Sequence, residues 1–156
     1  MYSLMIILLM LVLPIASVVV EIVLYKSPAA TMLLIGKWFV FWAMGVRLFT
    51  AGLRQAIRPR FTAEAILGIQ GTEQFILVQE LGFANLSMGA LGMVTLLNGN
   101  WVFPAALVGC LFIGLAGIRH LFSKSRNLLE NSAMLSNLAI AGLLCVYILW
   151  ALITLI

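Results

Sequence analysis

The sequence predicts an all-α integral membrane protein: five transmembrane helices forming a single transmembrane domain over residues 1–156. Three observations carry that expectation. Of the 156 residues, 64% are hydrophobic and 9% charged, and the mean hydropathy is +1.18. A soluble domain carries roughly a quarter charged residues, so a water-facing surface cannot be built from this chain. Five stretches reach the roughly 20 apolar residues that a helix needs to cross a bilayer core. The basic residues gather in alternate loops, as a multi-pass chain with its positive loops inside requires.

The first span is expected at about Ser3–Tyr25. It lacks a basic n-region, its apolar run is longer than that of a signal peptide, and "LPIAS" is a poor cleavage site, so it reads as a retained span bent near Pro14. The second is expected at Thr31–Leu53, ending before "RQAIRPRFTAE". Pro59 breaks that helix, Thr62 is expected to cap a new one, and Glu64 favours its start, which predicts a short interfacial helix over about 62–70. Gly68 and Gly71 then let the chain turn into the third span, Glu73–Leu97. "NGN" makes a short uncharged turn to the fourth span, Trp101–Phe122, and "RHLFSKSRNLLEN" leads to the fifth, Ala133–Ile156. The two basic loops place the N-terminus in the cytoplasm and the C-terminus outside. Trp38, Trp101 and Trp150 all fall near the outer boundary, where an interfacial aromatic belt belongs.

Net charge of +4 follows from those loops and gives no reason to expect a nucleic-acid partner. Cys110 and Cys145 lie in apolar runs without a CxxC spacing and read as packing residues. One histidine and no aspartate supply no ligand set for a metal, and phosphate-binding and hydrolase motifs are absent, so no metal and no cofactor are expected. No internal repeat or linker interrupts the chain.

Polar residues inside the spans are the functional candidates, because ionisable groups in hydrocarbon are costly and are kept for a purpose. Arg47 lies seven residues before Arg54, and Glu80 seven after Glu73, so both are expected at matching depth, roughly 10 Å inside the cytoplasmic boundary. An Arg47–Glu80 ion pair is the economical arrangement; snorkelling of Arg47 is its alternative. Arg54 and Arg58 share the Arg47 face if the second span is smooth. His120, Ser136 and Asn137 converge on the same side, so Arg47, Glu80, His120 and Asn137 define a candidate ligand pocket opening to the cytoplasm, with His120 as a helix-capping group the blander reading. Near the outer boundary, Glu21 and Lys37 are placed to form a structural ion pair. In the third span, Gly82, Asn85, Gly89 and Gly92 share a face about 140° from Glu80 and read as helix-packing residues, Asn85 as a hydrogen-bonding glue. Gly109, Gly114 and Gly117 make the fourth span the expected partner of that face.

The blocks "GKWFVFWAMGVRLFTAGLRQAIRPRFTAEAILGI", "ELGFANLSMGALG" and "GLAGIRHLF" resemble an uncharacterised family of small bacterial membrane proteins across nearly the whole chain. That resemblance implies the bacterial inner membrane and brings no activity. Arg47, Ala51, Gly52 and Pro59, with His120 late in a subsequent helix, also resemble DoxX-like membrane proteins. This second resemblance implies a four-helix bundle from spans two to five with an N-terminal helix added, and quinone-associated chemistry. The function expected is binding of a lipophilic or anionic ligand, or of a membrane partner, through the cytoplasm-facing pocket. A membrane enzyme acting on a lipid-like or quinone substrate and a small transporter are the alternatives. The expected partners are the lipid bilayer, lipid or quinone, and a second copy or another membrane protein.

Overall fold

The computed structural model describes residues 2–24, 30–68, 71–123 and 127–155, and all regular structure among them is helical. Five helices are long and apolar enough to cross a membrane: α1 over Leu4–Val23, α2 over Thr31–Ile57, and three more beyond a short surface helix. That short helix, α3, covers Phe61–Ile66; then come α4 over Thr72–Val94, α5 over Val102–Leu121 and α6 over Leu128–Leu155. The chain is a multi-pass membrane protein. Its outward side chains are largely apolar, from Leu4, Leu11 and Val19 on α1 to Leu149 and Ile153 on α6, as a surface solvated by lipid requires.

Several boundaries differ from the sequence expectation, each for a local reason. α2 runs one turn further, to Ile57, closed by a hydrogen bond from Arg58 N to Arg54 O at 2.7 Å. Arg58 then leaves the helical region at φ −136°, ψ 68°, as a residue before proline does. Helical backbone resumes at Pro59. Thr62 is therefore buried within the short helix and does not cap it. Gly68, at φ 68°, follows that helix in the left-handed conformation that glycine adopts without strain. Residues 69–70, the expected end of the surface helix, lie outside the described residues, as do Tyr25 and Ile156.

α6 starts five residues early because Asn127 caps it: its Oδ1 accepts from Glu130 N at 2.8 Å. The Asn127 Nδ2 donates to Ala65 O at 3.0 Å and ties the short helix to the bundle. α4 ends at Val94, where Thr95 Oγ1 donates back to Gly92 O at 2.7 Å. Asn98 then caps the single 3-10 turn Gly99–Trp101.

Two spans contain wide π turns, over Leu8–Val12 in α1 and Val40–Val46 in α2. The first lies directly before Pro14, whose ring would clash with the carbonyl four residues back and which has no N–H to give it. The second lies directly before Arg47, and its extra residue per turn rotates everything after it around the helix axis.

The core sits around α2. Val40, Met44 and Leu48 pack against Ala105, Ala106 and Ile113 of α5 and against Ile140, Leu144 and Tyr147 of α6. α1 adds Ile6 and Met10 to that core, buries Leu9, Pro14 and Val18 beside it, and turns most of its other apolar side chains outward. α4 meets α2 backbone to backbone: a Cβ on Gly45 would lie 2.8 Å from the Gly92 carbonyl carbon, and one on Gly52 would lie 2.6 Å from Gly82 O. The glycine face of α4 thus packs on α2, not on α5 as expected. Gly109, Gly114 and Gly117 of α5 meet Met44, Ala141 and Leu138 instead, which places them against α2 and α6.

Candidate functional site

The bundle has two unlike ends. At one, the turn Asn98–Trp101 joins α4 to α5; at the other, the short helix α3 lies across the bundle. Polar side chains occur inside both, and they do different things.

At the turn end, Lys37 Nζ lies 2.8 Å from Glu21 Oε2 and 3.0 Å from Oε1. Trp38 Nε1 donates to the same carboxylate at 2.6 Å, and one turn further in Trp42 Nε1 donates to Ser17 Oγ at 3.0 Å. All four contacts join α1 to α2. They act as a clamp on an otherwise peripheral helix.

At the α3 end, Arg47 is carried into the interior by α2 and is 9% exposed. Its Nη2 donates to Asn137 Oδ1 at 2.7 Å and to Ser136 Oγ at 3.2 Å, both on α6. The Ser136 hydroxyl in turn donates a hydrogen bond to Ala133 O at 2.8 Å. Eight residues on, Gln55 Oε1 accepts from Asn85 Nδ2 at 2.6 Å, across the close α2–α4 contact. Asn85 is 5% exposed, and its Oδ1 is buried with no hydrogen-bond partner. At the mouth, His120 Nδ1 lies 3.0 Å from Glu130 Oε1.

These groups enclose a cavity of about 160 Å³ lined by Arg47, Gln55, Thr62, Asn85, His120 and Asn137, with apolar walls from α1 and α5. A second space of about 270 Å³, beneath α3 and beside Arg54 and Phe61, shares Ala51, Gln55, Thr62 and Ile66 with it. The inner chamber has room for several waters or one compact head group, and offers both donors and acceptors.

Of the residues marked from sequence, Arg47, His120 and Asn137 line one chamber. Glu80 does not. It is exposed on α4, and Arg47 is held by α6 where the Arg47–Glu80 pair was expected. Matching depth fixes a residue's height and says nothing of its direction. The α4 face turned towards Arg47's helix is that of Gly82, Asn85 and Gly89, and at 100° per residue Glu80 points about 140° away from Asn85. Nor do Arg54 and Arg58 follow Arg47 inward; both are exposed. The helix from Arg47 to Ile57 is regular, so the difference is one of height: Arg54 lies about two turns nearer the helix end and Arg58 beyond it.

Gln55, Thr62 and Glu130 were missed as members of this site. Each had a sequence signal. Gln55 completes a small-or-polar stripe with Gly45 and Gly52 at spacings of seven and three, which matches the stripe of Gly82, Asn85, Gly89 and Gly92 on α4. Glu130 stands three residues after Asn127, in the register of a helix-capping pair. Thr62 follows Pro59 at a spacing that reads as a helix cap, and the same position turns it into the chamber once the helix begins earlier.

No curated protein and no solved structure matches the chain. A family model described as a family of unknown function (DUF6790) matches residues 4–156. With all five spans and every residue of the chamber inside that match, the chain belongs to the DUF6790 family.

Proposed function

We propose that the protein is a membrane-embedded binding protein whose chamber takes the compact, oxygen-bearing head of an amphiphile. The observation that carries this reading is the buried carbonyl oxygen of Asn85, which has no partner in a chamber that Arg47 also lines. Leaving a buried acceptor unsatisfied costs about 1–3 kcal/mol, a cost that a ligand hydroxyl or N–H would offset. Arg47 would meet an acceptor oxygen of the same head, either carboxylate or phosphate, as guanidinium groups do. Arg54, Arg58 and Arg60 lie on the same end and attract anionic head groups to the mouth.

The same basic end belongs, in this reading, on the cytoplasmic side of a bacterial inner membrane, with the N-terminus inside and the C-terminus outside. A DoxX-like arrangement of α2, α4, α5 and α6 is part of the proposal; what supports it is that α2, α5 and α6 supply most of the core and α4 packs backbone to backbone on α2. Acid–base chemistry on a lipid-like or quinone substrate is the second reading. The carboxylate of Glu130 against His120 favours it, because such a partner orients an imidazole and fixes its tautomer.

The test is ligand retention. Wild-type protein purified in a mild detergent should carry a near-stoichiometric amphiphile detectable by mass spectrometry. Ala116→Leu, which fills the chamber from α5 without removing a hydrogen bond, should lose it while melting within a few degrees of wild type. Glu80→Gln should retain it. Equal ligand content in wild type and Ala116→Leu would remove the chamber as the binding site.

A further inference from the structure

Beside the chamber, α1 and α6 are separated by an open groove of about 520 Å³. Its walls are apolar, with Ile15 and Leu143 towards the middle of the bundle, and the two exceptions, Ser132 and Ser136, both lie at the α3 end. The groove therefore has a direction: hydrocarbon in the middle, hydroxyls at the chamber side.

Groove and chamber are neighbours through two residues. Ile6 of α1 lines both. Ser136 lines the groove while its Oγ accepts from Arg47 Nη2, so a group passing Ser136 comes directly to the Arg47 guanidinium. The α1 wall is also where the helix is least regular, since Met10 and Leu11 of the groove sit in the π turn that precedes Pro14. The clamp of Glu21 and Ser17 on α2 holds α1 near its other end, while Ile6 and Met10 of this half pack through apolar contacts.

Taking the chamber as the head-group site, we infer that the ligand is an acyl-chain amphiphile with its chain in the α1–α6 groove and its small head turned past Ser136 and Ile6 into the chamber. An apolar groove within the hydrocarbon layer holds a chain without cost, and the chamber selects by head size. The chemistry shared by the candidates is one acyl chain whose head gives an acceptor oxygen to Arg47 and an O–H to Asn85 Oδ1, as a protonated carboxyl or the hydroxyl beside a phosphate monoester does; a large zwitterionic head exceeds a chamber of about 160 Å³.

Three photoactivatable probes separate these cases, each with a diazirine midway along an acyl chain: a fatty acid, a lysophosphatidic acid and a phosphatidylcholine. With the full-length protein in nanodiscs, one or both compact-headed probes should label peptides containing Met10–Ile15 and Leu135–Leu143, and phosphatidylcholine should label them several-fold less. Which compact probe labels tells carboxylate from phosphate. Ala139→Trp fills the groove from an exposed position on α6 and should cut this labelling at least fivefold at unchanged melting temperature. Ala116→Leu in the chamber should cut it as well. Loss of labelling in Ala139→Trp alone would mean ordinary boundary lipid in the groove and overturns the inference. Loss of ligand in Ala116→Leu alone, with labelling mapped elsewhere, also overturns it while the chamber reading stands. No effect of either variant ends both. Protection of the groove by a second copy of the chain, seen as a dimer cross-linked through α1 and α6, would overturn it too.

Discussion

At the scale of single residues, burial and pairing separate groups that hydropathy treats alike. Glu80 and Asn85 lie five residues apart on one helix, yet one is exposed and the other is buried against Gln55 on the chamber wall. Gln55→Leu removes the one partner of Asn85 Nδ2 and leaves the whole carboxamide buried, so it should destabilise by about 1–3 kcal/mol. Asn85→Leu combined with Gln55→Leu should cost clearly less than the two single effects added, because the second change removes a group already orphaned. Glu80→Gln should stay within about 0.5 kcal/mol of wild type, as exposed substitutions do. Reversible unfolding in detergent micelles measures all four, and additivity of the Asn85 and Gln55 variants would show that their hydrogen bond contributes nothing. The asparagine was legible in the sequence as a helix glue. Its free carbonyl and its place on the chamber wall were not, since both depend on what stands opposite.

Between elements, the glycines report how closely each pair of helices approaches. A methyl group on Gly89 would run into the backbone of Phe49, whereas one on Gly142 meets nothing. Gly89→Ala should therefore cost about 1–3 kcal/mol as an overpacking change, and Gly142→Ala should be neutral or stabilise by up to about 1 kcal/mol through helix propensity. Gly114→Ala falls between, facing only the Ala141 methyl at 3.2 Å. Melting temperatures ranked Gly142→Ala, Gly114→Ala, Gly89→Ala from highest to lowest would agree with this packing; a tolerated Gly89→Ala would mean that α2 and α4 stand further apart. The small-residue stripe of α4 is visible in the sequence at spacings of three and four. Its partner is not, because glycine stripes on the second and fourth spans both fit it, and only assembly chooses.

For the whole molecule, the charge distribution ties the chamber to one side of the membrane. A reporter fused after Ile156 should be active outside the cytoplasm and one inserted near Ser125 should be active within it, given the basic residues of the α3 end. The opposite pair of readings would invert the proposed orientation and expose the chamber to the outside.

The helical fold class and the number of spans were determined by the sequence alone. Those properties follow from local composition: about 20 apolar residues must form a helix in lipid. Azimuth was decided only by the tertiary structure. The π turn before Arg47 swings that side chain towards Asn137 and Ser136, the glycine contact of α2 with α4 turns Asn85 inward and Glu80 out, and the Asn127 cap brings Glu130 to His120. A helix rotates by about 100° for each residue, so one extra residue in a wide turn redirects everything beyond it while leaving composition and depth almost untouched.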